Sequence, residues 1–177
     1  MARLPLRDAS AMSDAEAAQY ARLPVNLTRA LLATGSCAEP FLDLGFALRR
    51  TSLSVRHYEM AILRVARLSG CAYQRMQHLQ PALNAGWSEA DIEAIENGQW
   101  QRLAAPDAIV LRLVDECVAH PRIADPSFKR ALALLGERGV AELILLTGFY
   151  MMTARFLEGL DVDLDAQPSP RLLSYEN

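Results

Sequence analysis

Three side chains within residues 59–78, EMAILRVARLSGCAYQRMQH, carry groups that move protons or attack electrophiles: the carboxylate of Glu59, the thiol of Cys71 and the imidazole of His78. At about 100° per residue, Val55, Glu59, Ile62 and Ala66 fall on one side of a helix, and Arg56, Arg64 and Arg67 on the other. Glu59 is therefore expected on the half that faces the core, where a carboxylate needs a partner. An arginine inside the bundle is the plain candidate for that partner. Cys71, Gln74 and His78 stand at i, i+3 and i+7 of the next helix and share a face, about a third of a turn from the apolar residues Ala72, Met76, Leu79 and Leu83. That face is expected to border a cleft. A thiol at a helix start meets unpaired backbone N–H groups that favour the thiolate; the plain alternative is a small cysteine that only packs. Together the trio suits proton transfer or thiol chemistry. One Cys and one His are too few to hold zinc, so no metal is expected.

The elements that must position these groups read as helices, and strand signals are nearly absent. Ser13–Thr34 reads as one or two helices broken at Pro24, followed by helices over 40–50, 53–68 and 71–85, with Ser69-Gly70 as a corner. Gly86 fits the left-handed position after a helix end. Ser88-Glu-Ala-Asp91 starts the next helix as a capping box, and Asn97-Gly98 stops it. Pro106 opens a helix to about Ala119. Asp125-Pro126 pairs a cap residue with proline at the first helical position, and Gly136 and Gly139 divide this helix from a last long one ending near Glu158. The tail DAQPSPRLLSYEN reads as an arm or a frayed terminus. The fold class is all-α, one domain with a helical hairpin at its core. Its parts are an N-terminal helical extension (1–41), the main domain (42–162) and a C-terminal arm (163–177). Because only Ser69-Gly70 joins the two helices, Glu59 and His78 are expected to meet across an antiparallel pair, with Cys71 at the mouth of a shared cavity.

The formal net charge of -3 disfavours a nucleic-acid partner. Three widely spaced cysteines, Cys37, Cys71 and Cys117, give no disulfide framework, so a reducing, cytoplasmic setting is expected. No apolar leader opens the chain, and the longest apolar stretch, Leu143–Ala154, is short for a bilayer and flanked by Glu142 and Arg155, so no membrane association is expected. The last helix is apolar nearly all round, which predicts a homo-oligomer.

The pattern R-x-x-E-x-A-x-L-x-V-A-x-L-x-G-C-x-Y-Q-x-x-x-H, read here from Arg56 through Glu59, Gly70, Cys71, Tyr73 and Gln74 to His78, resembles the core of the carboxymuconolactone decarboxylase and alkylhydroperoxidase D (AhpD-like) superfamily. Gly86-Trp-Ser-Glu-Ala-Asp-Ile is similar to a turn of that family, and the last helix, with Tyr150 and Arg155, is similar to its closing helix. The resemblance spans roughly Leu42 to Val162 and implies an all-α AhpD-like bundle forming trimers or hexamers. It implies one of two chemistries on a small-molecule substrate, with no cofactor. In the decarboxylase-like, lyase branch, His78 and Glu59 move protons while Tyr73 and Gln74 orient a lactone or carboxylate. In the peroxidase branch, with peroxiredoxin-type oxidoreductase activity, Cys71 is the nucleophile and His78 and Glu59 its relay. The family's second thiol is absent, because Gln74 stands there, and a lone Cys71 cannot close a disulfide with its neighbour. A third reading is a non-catalytic oligomeric binding protein that keeps the fold.

Overall fold

The computed structural model describes residues 2–173, which are helical with no strand among them. Helix α1 (Asp14–Arg22) opens with a capping box of Ser13 and Glu16 and ends before Pro24; α2 is Asn26–Leu31. A tight turn with Gly35 at φ 62° leads to α3 (Ala38–Leu48). Helix α4 (Val55–Leu68) starts where the Ser54 hydroxyl accepts the His57 N–H at 3.1 Å. Helix α5 (Ala72–Asn84) follows through a corner where Gly70 takes φ 64°, a left-handed conformation that costs a β-carbon-bearing residue strain. The Ser88–Asp91 capping box starts α6 (Glu89–Glu96) as expected. The chain continues through α7 (Ala105–Ala119), α8 (Asp125–Leu160) and a last turn, α9 (Pro170–Leu173).

Helix α4 is the axis of the bundle and packs against α5, α6, α7 and α8. From Tyr58 to Ala66 every residue but Arg64 is buried. Burial of Met60, Ile62, Leu63 and Val65 contributes about 1.5–3 kcal/mol each. Arg64, on the outer side, fastens α4 to α7 through Asp115 and to the end of α6 through the Glu96 carbonyl.

Gly136 (φ 70°, ψ 175°) leaves the helical conformation and divides residues 125–160 into two helical segments, as expected. Three details of the expectations are corrected. Gly139 takes no part in that division but lies in the second segment, where a β-carbon would come 2.9 Å from that of Leu135. Asp125 does not cap α8, since Ala124 holds the cap position and makes no side-chain bond there. The tail is not frayed up to residue 173: it crosses back over α2 and α5, held by Asp165 and Ser169, because those two residues satisfy polar groups of the bundle. Residues 174–177 of the expected arm lie outside the described residues.

By length and composition two stretches, Asn26–Leu48 and Asp125–Leu160, are apolar enough to cross a membrane. The first is broken at Gly35 and the second forms much of the bundle's wall, and the core helix of a soluble protein passes the same test.

Candidate active site

The buried face of α5 is its polar one. Tyr73, Gln74, Gln77 and His78 are buried, while Met76, Leu79 and Leu83 are half-buried and Ala72 is exposed. A polar face buried along a helix demands partners, and each of the four has one. His78 is 3% exposed, and its Nδ1 lies 2.9 Å from Oε2 of Glu59, which is 0% exposed. The antiparallel hairpin of α4 and α5 brings the two together from either side of the Gly70 corner. A carboxylate only accepts, so Nδ1 carries the proton and donates. That leaves Nε2 as the nitrogen free to act in the cavity that His78 lines. The expected partner of Glu59 is therefore a histidine and not an arginine.

The cavity is narrow, about 620 Å³ including the open space at its mouth. Its walls are mostly apolar, with Leu23, Val25, Phe41, Leu42, Phe46 and Phe149 among them. Its polar groups are Arg49, Gln74, His78 and Tyr150, besides Tyr73, Gln77 and Thr153, which are bonded elsewhere. Gln74 donates from Nε2 to the Tyr150 carbonyl at 2.8 Å, which fixes the amide so that Oε1 is the free acceptor. That Oε1 and Oε1 of Glu59 are buried with no hydrogen-bond partner among the described residues. Such vacant acceptors cost stability and are kept where a ligand or ordered water fills them. Tyr150 stands edge-on to His78, ring centres 5.2 Å apart, with its hydroxyl 3.3 Å from that of Tyr58. Burial pushes the Tyr150 phenol well above its ordinary range; its bond with Tyr58 opposes this, as does the Arg49 charge, while the Glu59 charge adds to it.

Tyr73 lines the cavity with its ring, but its hydroxyl is committed to Asp165 and accepts the Leu27 N–H at 3.1 Å. It is a clasp for the tail rather than a free ligand to substrate. Asp165 also accepts from Gln77 Nε2 at 2.9 Å and the Asn26 N–H at 2.8 Å, and the Ser169 N–H donates to Gln77 Oε1 at 2.8 Å.

Cys71 departs from expectation. It caps α5, but it is 1% exposed among Ala30, Tyr73, Ala154 and Leu157 and does not line the cavity. Burial pushes its thiol up to about 12; amide N–H groups of Gln74 and Tyr73 pull the other way, as a helix start should, and the nearby Glu158 adds to the rise. The helix-start effect is present but outweighed by desolvation. The thiol is neither at the mouth nor a thiolate near neutral pH.

Arg49 and Asp165 escape sequence reasoning. Arg49 follows the last turn of α3 with no periodic signal, and Asp165 lies in a polar tail whose docking only the bundle reveals. Among the described residues no three His, Cys, Asp or Glu gather as metal ligands.

The described residues form an all-helical bundle with a His–Glu pair beneath an apolar cavity. Residues 37–103, from α3 to beyond α6, match the Carboxymuconolactone decarboxylase family, and this segment holds Arg49, Glu59, Cys71, Tyr73, Gln74 and His78. Over 92% of this chain and 100% of the other, the fold is shared with the crystal structure of a protein of unknown function from Agrobacterium tumefaciens, suggested to be the antioxidant defence protein AhpD, at 18% identity and a TM-score of 0.60. No functionally curated protein matches the chain.

Proposed function

We propose that this protein is an acid–base enzyme in which His78, backed by Glu59, moves a proton on a small lactone or carboxylate held at the inner end of the cavity. The reading rests on one observation: Nδ1 of His78 is bonded to a fully buried carboxylate, 2.9 Å away, while the ring lines the cavity. This pairing fixes the tautomer that presents Nε2 as a base. The carboxylate stabilises the imidazolium once the proton is taken up. Gln74 Oε1 supplies an acceptor for a substrate hydroxyl.

The peroxidase reading is the second one, favoured by the suggested role of the Agrobacterium tumefaciens protein. It needs an accessible thiolate, and the burial of Cys71 opposes that. The test is deuterium wash-in from heavy water at the acidic carbon positions of a panel of lactone and carboxylate ligands, followed by NMR, alongside turnover of an alkyl hydroperoxide. Wash-in lost in His78→Gln and kept in Cys71→Ala supports the acid–base reading. Hydroperoxide turnover lost in Cys71→Ala, with no wash-in by the native protein, overturns it.

Association with further copies of the chain is part of the proposal. Leu145 (52% exposed) and Met152 (48%) lie on the outer side of α8 with Gly148 between them, a surface that suits a second subunit. Light scattering at micromolar concentration tests it, and a monomer there would refute it.

A further inference from the structure

Two side chains on the cavity wall hold an open hydrogen-bond acceptor. Nδ1 of His78 gives its proton to Glu59, so Nε2 carries only a lone pair. Nε2 of Gln74 donates to the Tyr150 carbonyl at 2.8 Å, which leaves Oε1 buried and without a partner among the described residues. Gln74 is 2% exposed, and an amide oxygen buried in that way is costly unless something donates to it. The two residues lie one helical turn apart on the same face of α5 and both pack on Tyr150, whose ring centre is 5.2 Å from that of His78. They therefore share one part of the cavity. The other polar groups are committed: Tyr73 and Gln77 are tied to Asp165, the Thr153 hydroxyl donates to the Phe149 carbonyl at 2.8 Å, and Arg49 is already engaged. Another part of the wall is wholly apolar, where Leu23, Val25, Leu42, Phe46 and Leu172 pack as one cluster.

We propose that the substrate of this site is an apolar molecule headed by a hydroxyl that donates to Gln74 Oε1, its hydrocarbon body lying along Leu42, Phe46 and Leu172. This names the substrate class for the acid–base reading and rests on it for His78 as the reacting end; a lactone or carboxylate that fits thus carries a hydroxyl as well. The hydroxyl brings the one hydrogen that the Gln74 oxygen lacks. An ether or ester oxygen in the same place sets lone pair against lone pair and leaves Oε1 unpaired. An alcohol is thereby told from an ether of the same size by a single hydrogen. Leu172 comes from the docked tail, so α9 forms part of the wall that the apolar body lies against.

The test is an NMR titration of the whole protein with 1-heptanol and with its isomer 1-methoxyhexane, which has the same atoms and no hydrogen to donate. The alcohol is expected to bind about tenfold or more tightly than the ether. Gln74→Met, which keeps the reach of the side chain and removes its oxygen, is expected to bring the alcohol down to the ether and to leave the ether within about twofold of its native affinity. His78→Gln is expected to keep the preference for the alcohol. From 1-pentanol to 1-heptanol affinity is expected to rise about fourfold for each added methylene. Leu172→Glu is expected to flatten that series, with circular dichroism confirming the helical fold. Equal affinity of alcohol and ether for the native protein overturns the proposal, as does a preference that survives Gln74→Met, or affinity independent of chain length. The first comparison is made on the native protein and decides even where Gln74→Met fails to fold. A preference for the alcohol without any deuterium wash-in by the native protein refutes the acid–base reading alone, and wash-in without that preference refutes the hydroxyl-headed substrate alone.

Discussion

Replacing Glu59 by glutamine separates a functional carboxylate from a structural one. In the native protein the carboxylate is fully buried and makes one hydrogen bond, to His78, while Oε1 has none among the described residues. Burying a carboxylate costs several kcal/mol, of which a single charge-assisted bond returns about 1.5–3 kcal/mol. Glu59→Gln keeps the volume and an oxygen to accept the Nδ1 proton, and it removes the charge. The new amide N–H₂ faces a partial penalty of about 1–3 kcal/mol if it finds no acceptor. The net expectation is stability unchanged or higher by up to about 2 kcal/mol, a rise of about 2–4 °C in Tm for each kcal/mol at this size. Proton transfer should fall about 100-fold or more, because the imidazolium loses its counter-charge. Thermal melts followed by circular dichroism give the first number and deuterium wash-in the second. Had evolution kept Glu59 as an anchor for the α4–α5 hairpin, removing it would cost about 3–5 kcal/mol, as breaking a buried pair does. A loss of stability of that size, with wash-in unaffected, would refute the argument.

With its thiol raised to about 12, Cys71 should be about one part in ten thousand thiolate at pH 8 and resist iodoacetamide in the folded protein while exposed Cys37 reacts; peptide mapping showing rapid Cys71 labelling would contradict the burial. Cys71, Tyr58, Tyr73 and Tyr150 all hold their protons more tightly folded than unfolded, so their contribution is fully present below their ordinary values of 9.0 and 10.0 and is lost as pH rises. Urea melts should therefore show stability falling from about pH 9 and steepening above pH 10, by about 1.4 kcal/mol per pH unit for each group engaged; a flat profile to pH 11 would be the wrong result. Asp165→Ala removes the acceptor for Tyr73, Gln77 and Asn26 and should cost about 3 kcal/mol in urea melts and open residues 163–173 to proteolysis; an unchanged midpoint and cleavage pattern would mean the tail is held by something else.

The local signals legible in the sequence were those carried by neighbouring residues. Ser88 caps a helix where its spacing to Asp91 allows, and Gly70 and Gly86 turn the chain where a positive φ is needed, whereas the caps at Ser13 and Ser54 were not read from the sequence. The meeting of Glu59 and His78 was legible too, because the two-residue corner at Ser69-Gly70 leaves α4 and α5 little choice but to fold back on each other. Which face of α5 goes inward was not. The apolar set of Ala72, Met76, Leu79 and Leu83 competes with a polar set, and the polar set wins because Glu59, the Tyr150 carbonyl and Asp165 wait for it on α4, α8 and the tail. Cys71 was misplaced for a related reason: the helix-start amides can be read from sequence, whereas burial among Ala30, Ala154 and Leu157 comes from distant segments.

The wall of the cavity draws on residues from Leu23 to Leu172, nearly the full span of the described chain, whereas the His78–Glu59 pair needs only the hairpin. The two parts therefore mature at different moments. During synthesis the hairpin can close once α5 has emerged, since its contacts are local and local contacts form early. The apolar wall cannot be completed until Asp165 and Leu172 have left the ribosome and folded back onto Tyr73 and Gln77. A nascent chain thus holds its His78–Glu59 pair before its cavity is walled, and the segment through Leu172 decides when that wall closes.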